Sequence, residues 1–193
     1  MSCPATDIDG RIGARIHALR AERGLTLDGL ARLADVSRAM LSRVERGESS
    51  PTAQLLTKIC GGLGITPSVL FAETETPASP LSRRRDQPVW RDPESHYLRR
   101  NVSPPGTGSP VDIVEAEFPS GGSITLDSLR LTGWDQHIWV LDGTLDLALG
   151  EEAFRLESGD CLVMGFDRPI RFRNPTERPV RYAVIISRGA ARP

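Results

Sequence analysis

Aromatic residues are scarce: three Trp, two Tyr and five Phe make up 5% of the 193-residue chain. That argues against a binder that stacks single-stranded bases on a row of rings. Cysteine is limited to Cys3, Cys60 and Cys161, with no Cys-x-x-Cys. An odd, widely spaced set excludes a disulfide framework and a thiolate zinc site of the usual spacing, and it reads as free thiols in a reducing compartment. Lys58 is the only lysine, so 23 of the 24 basic residues are arginine. Neither charge sign is in excess: the net charge is −1, which gives no global argument for nucleic acid. No apolar run approaches the roughly 18 residues of a membrane span. The start Met1-Ser2-Cys3-Pro4 lacks a signal-peptide pattern. A cytoplasmic protein without a membrane partner is expected. His17, His96 and His137 are scattered, and no Ser-His-Asp arrangement is recognisable by spacing, so no catalytic residue is assigned.

What is present is an ordinary globular balance, 39% apolar and 25% charged, in a length that suits one large domain or two small ones. The pattern changes along the chain. Residues 1–72 carry helical periodicity with short punctuating turns. Residues 73–88 hold three prolines, small polar residues and the cluster Arg83-Arg84-Arg85-Asp86, the composition of a flexible linker. From Val89 onward, short alternating segments are bounded by Gly, Pro, Asp and Asn, which is strand patterning.

Five helices are predicted before the linker. Ile8, Ile12, Ile16 and Leu19 recur at helical spacing, and Gly24 is a stop signal. Thr26 is an N-cap for a second helix that turns Leu27, Leu30 and Ala34 inward. Ser37 caps a third, with Met40, Leu41 and Val44 as its apolar face and Gly47 at its end. Pro51-Thr52 opens a fourth, closed by Gly64, and Thr66-Pro67 starts a short fifth. Two short helices joined by Ala34-Asp35-Val36-Ser37 make a helix-turn-helix.

The run from Leu25 to Thr52 carries a Leu-Ala pair, a Val-Ser turn, the helix Leu-Ser-Arg-Val-Glu-Arg-Gly and a Ser-Pro-Thr opening, all in register. It resembles the phage-repressor-type (XRE) helix-turn-helix family over about residues 8–71. Gly29 departs from the family's frequent Glu and removes a capping-box partner for Thr26. The resemblance implies double-stranded operator DNA as partner and the third helix as the reader. With Leu41 and Val44 inward, Ser37, Arg38, Ala39, Ser42, Arg43 and Arg46 face outward. Arg38, at the N-terminal end that enters the major groove, suits guanine O6 and N7, and Ala39 suits a thymine methyl. Ser42 and Arg43 follow one turn later. Thr26, Ser37, Ser49, Ser50 and Thr52 are candidates for phosphate contacts, with Arg11 and Arg15 on the first helix. Residues 1–72 hold nine basic against seven acidic groups; residues 89–193 hold twelve against fifteen. So small a local excess makes single-copy binding weak, and a homodimer spanning two half-sites is expected.

Eight strands are predicted in the second part: Asp112–Phe118, Ser123–Arg130, Gln136–Leu141, Thr144–Leu149, Ala153–Leu156, Asp160–Met164, Ile170–Asn174 and Val180–Ser187. Asp142-Gly143 is a hairpin signal. Strands at this spacing suggest an all-β jelly roll or barrel. The stretch Gln136–Leu147, then Leu156-Glu-Ser-Gly-Asp160 and Pro169-Ile-Arg-Phe-Arg-Asn-Pro175, resembles the cupin family. Residues 89–104 resemble the lead-in of regulators that fuse this helix-turn-helix to a cupin. The fold expected is thus an all-α five-helix domain, 1–72, and an all-β cupin-like domain, 89–193.

The cupin resemblance implies a metal set, which can be tested position by position. Anchored on Gly143, the family's Glu falls on Gln136 and its two His on Leu129 and Leu131, or on Arg130 and Thr132 with the shorter spacing. Anchored on Gly159, the third His falls on Ile170 and the Asn on Asn174. Leucine and isoleucine supply no donor to a first-row metal, so no metal and no cofactor are expected. Strand alternation turns His137 away from the interior. The interior is then lined by Leu129, Leu131, Ile138, Val140 and Ile170, with Gln136 as one polar anchor. Two uses stay open: a site for a small-molecule effector, or a filled core serving dimerisation, with Trp134 or Trp139 at the subunit contact. The expected function is a dimeric, sequence-specific transcriptional regulator and not an enzyme. The rival is a cupin isomerase or dioxygenase carrying a DNA-binding appendage.

Overall fold

A computed structural model describes residues 5–71 and 79–188. Five helices come first: α1 Ala5–Glu22, α2 Leu27–Leu33, α3 Arg38–Glu45, α4 Ala53–Leu63 and α5 Pro67–Phe71. Their boundaries are set by local chemistry. The side chains of Thr26, Ser37 and Thr52 accept from the backbone N–H groups of Gly29, Met40 and Leu55, at 3.0, 3.1 and 3.2 Å. Each satisfies one of the donors that a helix start leaves over. Gly64 ends α4 in the left-handed region, at φ 66°. Ile12, Ile16, Leu19, Leu30, Leu41, Val44, Leu56 and Ile59 are buried together in the helical core. Met40 differs from expectation: it is 37% exposed. Only the stripe through Leu41 and Val44 is covered, because an eight-residue helix gripped by α1 and α2 buries little of its circumference.

Ten strands follow: β1 Val89–Arg91, β2 Leu98–Asn101, β3 Val111–Phe118, β4 Ser123–Leu126, β5 Leu131–Asp142, β6 Thr144–Leu149, β7 Glu152–Glu157, β8 Cys161–Phe166, β9 Ile170–Arg173 and β10 Val180–Arg188. They form two antiparallel sheets, ordered β1-β2-β3-β10-β5-β8 and β4-β9-β6-β7. The inward residues of both sheets, among them Phe118, Ile138, Val140, Leu145, Leu147 and Phe172, are buried between them. This is the cupin-like jelly roll. β1 and β2 add to the eight expected strands, and the expected Ser123–Arg130 strand ends at Leu126. Past that point Arg130 takes φ 52°, and buried Leu129 lies against Gly61 of α4.

The helical and β regions share one continuous core. Phe71 of α5 meets Trp90 of β1, ring centroids 5.6 Å apart, and the Arg99 guanidinium lies 5.3 Å from the Phe71 ring centroid. Asp92, just after β1, accepts a 2.8 Å hydrogen bond from the backbone N–H of Ala53 at the start of α4. Part of the expected linker, residues 79–88, lies along the β region. Within it Arg84 forms a 2.8 Å ion pair with Glu115, and Arg100 donates to the Arg84 carbonyl. The rest of that segment, 73–78, lies outside the described residues.

Candidate functional site

α3 is held from behind and bare in front. Its carboxyl-terminal Glu45 is gripped by α1: Arg20 Nε and Nη2 donate at 2.6 and 2.8 Å, and His17 Nδ1 lies 3.0 Å away. Burial raises the cost of the Glu45 charge, but the hydrogen bonds from Arg20 and His17 outweigh it and hold the carboxyl below its usual range. Gly13 lets α1 approach α3 closely: a Cβ there would meet the Val44 carbonyl oxygen at 2.3 Å. On the other side, α2 packs on α4, where Gly62 would bring a Cβ within 3.0 Å of the Ala34 nitrogen.

The opposite face of α3 carries Ser37, Arg38, Ala39, Met40 and Arg43, all exposed, and half-buried Ser42. Arg38 Nε lies 3.2 Å from Asp28 of α2, with both side chains about two-thirds exposed. So exposed a pair is worth about 0–1 kcal/mol and opens readily. Arg46 is tied more firmly: it bonds Glu48 through Nε and Nη2 at 2.7 Å each, and donates to Ser42 Oγ. Ser42 is thereby partly engaged within the protein. Thr26 and Thr52 lie at helix starts with their hydroxyl oxygens used as caps. Ser49 is half-buried, and Ser50 Oγ donates to Asp9. Arg11 is exposed on α1 and has an interaction partner, whereas Arg15 is half-buried with its Nε buried and unpartnered. The third helix and the start of the second therefore carry Thr26, Ser37, Arg38, Ala39, Ser42 and Arg43, Thr52 stands at the start of the fourth, and Arg15 is turned partly inward. Met40 joins the exposed face and was not expected there. Its apolar character argued for the core, and only packing between helices decides that it stays out.

The β region holds a small cavity of about 70 Å³. Of the six residues expected to line the interior, Leu129, Gln136 and Ile170 border it. Ile138 and Val140 are instead fully buried between the sheets, and Leu131 is half-buried. Ile138 and Val140 continue the inward row of β5 past Gln136 and fill the space between the sheets, while the irregularity between Leu131 and Gln136 sets Leu131 apart from that row. His137 points to the outer face, as alternation predicts. The positions where cupin metal ligands stand bring two aliphatic side chains and Gln136 to the cavity wall. Gln136 donates weakly to the Gly165 carbonyl at 3.5 Å. This set does not fit a resident metal ion. Sequence reasoning also missed other residues that line it: the polar Tyr97, Arg99, Asp127 and Tyr182 from the β region, and Thr57 and Pro67 from the helices. Nothing local marks them, because they meet only through tertiary contacts.

Comparison with known proteins agrees with the architecture. Residues 16–70 match the helix-turn-helix family HTH_3. The chain is 29% identical over 175 residues to the HTH-type transcriptional regulator SutR of Escherichia coli, covering 91% of this chain and 93% of that one. It is 37% identical over 70 residues to the control protein C.MunI of a Mycoplasma species, covering 36% of this chain and 95% of that one. A crystal structure of an HTH_3 family transcriptional regulator from Vibrio cholerae superposes with a TM-score of 0.77 at 27% identity, covering 95% of this chain and 98% of that one. The chain belongs to the XRE-type helix-turn-helix family of transcriptional regulators.

Proposed function

We propose that this protein is a homodimeric, sequence-specific reader of double-stranded DNA that regulates transcription. The observation that carries the reading is the outward face of α3. Arg38, Ala39, Met40 and Arg43 stand exposed on a helix whose other side is locked to α1 and α2. The β region packs on α4 and leaves that face uncovered. In the groove, Arg38 reads guanine, Ala39 and Met40 contact thymine methyls, and Arg43 reaches a base or a phosphate. Thr26, Ser37, Ser49 and Thr52, with the arginines of α1, position the backbone. Ser49 and Arg43 are the freer members of this set, since the cap residues are already engaged.

Dimerisation is supported by the outer face of the six-stranded sheet. Ile113, Ile185, His137 and Val163 are register partners across four adjacent strands, and Trp139 lies beside them, 46% exposed. An apolar row of this kind on an exposed sheet suits a second copy of the same chain. The cavity suits a small effector, so the protein is also read as ligand-responsive.

The test is retention of genomic DNA fragments by the purified protein, sequenced and repeated at raised salt. A two-fold symmetric site with half-sites about 10 base pairs or a multiple apart is the expected result. The Arg38→Ala, Arg43→Ala double variant should lose about 10-fold or more in affinity for that site while remaining folded. Uniform retention that vanishes with salt would reduce the protein to a phosphate binder and overturn the reading.

A further inference from the structure

We infer that the cavity takes a small carboxylate with a short apolar tail, and that Arg99 at the junction of the two domains receives its charge. The inference rests on the regulator reading above and names the effector class for it.

The starting observation is a buried cation that forms no ion pair among the described residues. Arg99 is 7% exposed, and its Nε is buried with no hydrogen-bond partner. One terminal nitrogen donates to Ser68 Oγ of α5 at 2.8 Å, and the guanidinium stacks near Phe71. Neither neighbour carries charge. The guanidinium also hydrogen-bonds the Tyr97 hydroxyl, which in turn meets the neutral Tyr182 hydroxyl. Burial pushes both phenols above their usual range, so they remain neutral. The acid that feels Arg99 is Asp112, whose own carboxyl is raised by burial, with Arg99 only opposing that rise. A buried guanidinium is stable when its donors are matched by an anion, and its planar fork matches a carboxylate. Among the described residues Arg99 has no such match.

The cavity supplies the rest of the description. Its remaining wall is largely aliphatic and aromatic, with Ile124, Leu129, Ile170 and Phe172 among the lining residues; the acidic Asp127 also lines it and lies 3.9 Å from Lys58. Its volume of about 70 Å³ holds roughly five atoms, by the space one water needs. A charge at one end, an apolar wall and this size together describe a short-chain carboxylate, such as propionate or butyrate. A bare oxyanion would waste the apolar wall, and an uncharged ligand would leave Arg99 unmatched.

The placement also gives the ligand a lever. Thr57 of α4 and Pro67 of α5 line the same cavity, and Ser68 already holds Arg99. A carboxylate bridging Nε and Nη2 of Arg99 shares with Ser68 the nitrogen that now binds it, so occupancy acts on α5 and, through it, on the helical region that presents α3.

The experiment uses the full chain and four probes: propionate, butyrate, butyramide and sulfate. Thermal unfolding and calorimetry, without DNA, should show saturable stabilisation by at least one carboxylate. The isosteric butyramide and sulfate should give none at the same concentrations. Arg99→Gln should abolish the response. Because that variant can lose its fold, Ile124→Phe, which fills the apolar end, serves as a second variant and should also abolish it. Equal binding of butyramide overturns the role of the charge, equal binding of sulfate overturns the carboxylate class, and no saturable binding of either acid overturns the site. In a separate arm, affinity for the retained DNA site is measured with and without butyrate. A change of about 5- to 150-fold is expected for coupling of this kind. Unchanged affinity overturns the lever alone, and absent DNA binding overturns the regulator reading and leaves the ligand result standing.

Discussion

A single methyl group at Gly13 would collide with the backbone of α3, the helix proposed to read DNA. The Cβ of an alanine there meets the carbonyl oxygens of Val44 and Glu45 at 2.3 and 2.9 Å, and backbone cannot step aside as a flexible side chain can. Gly13→Ala should therefore cost about 1–3 kcal/mol, measured by urea unfolding, against the small gain that alanine gives an unhindered helix position. Glu45 tests the same contact electrostatically. Its carboxyl is depressed in the folded protein although burial opposes the charge, because Arg20 and His17 hold it. A depressed folded pKa gives stability that is present above the unfolded value, about 4.3, and is lost as pH falls through the folded one. Glu45→Gln should thus be destabilised by about 1–3 kcal/mol at neutral pH. The gap to the parent should narrow below about pH 4, as denaturant curves at the two pH values will show. A gap that stays constant with pH would mean that packing, not charge, joins α1 to α3.

At the level of elements, Asp92 does what the sequence hides. One carboxylate oxygen accepts from the Ala53 N–H at the head of α4; the other accepts from the N–H and hydroxyl of Ser95. The side chain is 1% exposed. Asp92→Ala leaves those donors buried and unmatched, at a cost of about 1–3 kcal/mol. The helical part should then melt before the β part, giving two transitions in calorimetry where the parent gives one. Contrast this with the helix starts at Thr26, Ser37 and Thr52, which were readable because a cap and the N–H that donates to it lie three residues apart. The same locality made the hairpin at Asp142-Gly143 legible. β1 and β2 were not, since Leu98-Arg-Arg-Asn101 has no alternation and becomes a strand only by pairing with β3. Arg99 shares that fate: flanked by another arginine, it reads as a solvated charge, and only the approach of α5 buries it.

For the whole molecule, the sequence led to an expectation of two domains joined by a flexible linker, and it was silent on the contact that Phe71, Trp90 and Arg99 make between them. Composition reports what a segment can do in isolation and is silent about a surface that arrives from elsewhere in the chain. The same limit applies to the outer face of the six-stranded sheet. Alternation predicted that His137 and Trp139 point outward, but not that Ile113 and Val163 fall into one row with His137 through Ile185. In a monomer that row is exposed to water, with Val163 at 50% and Ile113 at 39%. In the proposed dimer it meets its own copy across a two-fold axis, and Trp139 is the residue type on which such interfaces depend most. Trp139→Glu places a charge at that centre and should shift the protein from dimer to monomer in light scattering, with the fold intact by circular dichroism. Because one reading head makes few contacts, the same variant should lose affinity for a two-half-site DNA by about 100-fold or more, the advantage that linking two weak contacts confers. Its affinity for an isolated half-site should be unchanged. A Trp139→Glu protein that remains dimeric would move the subunit contact away from this sheet.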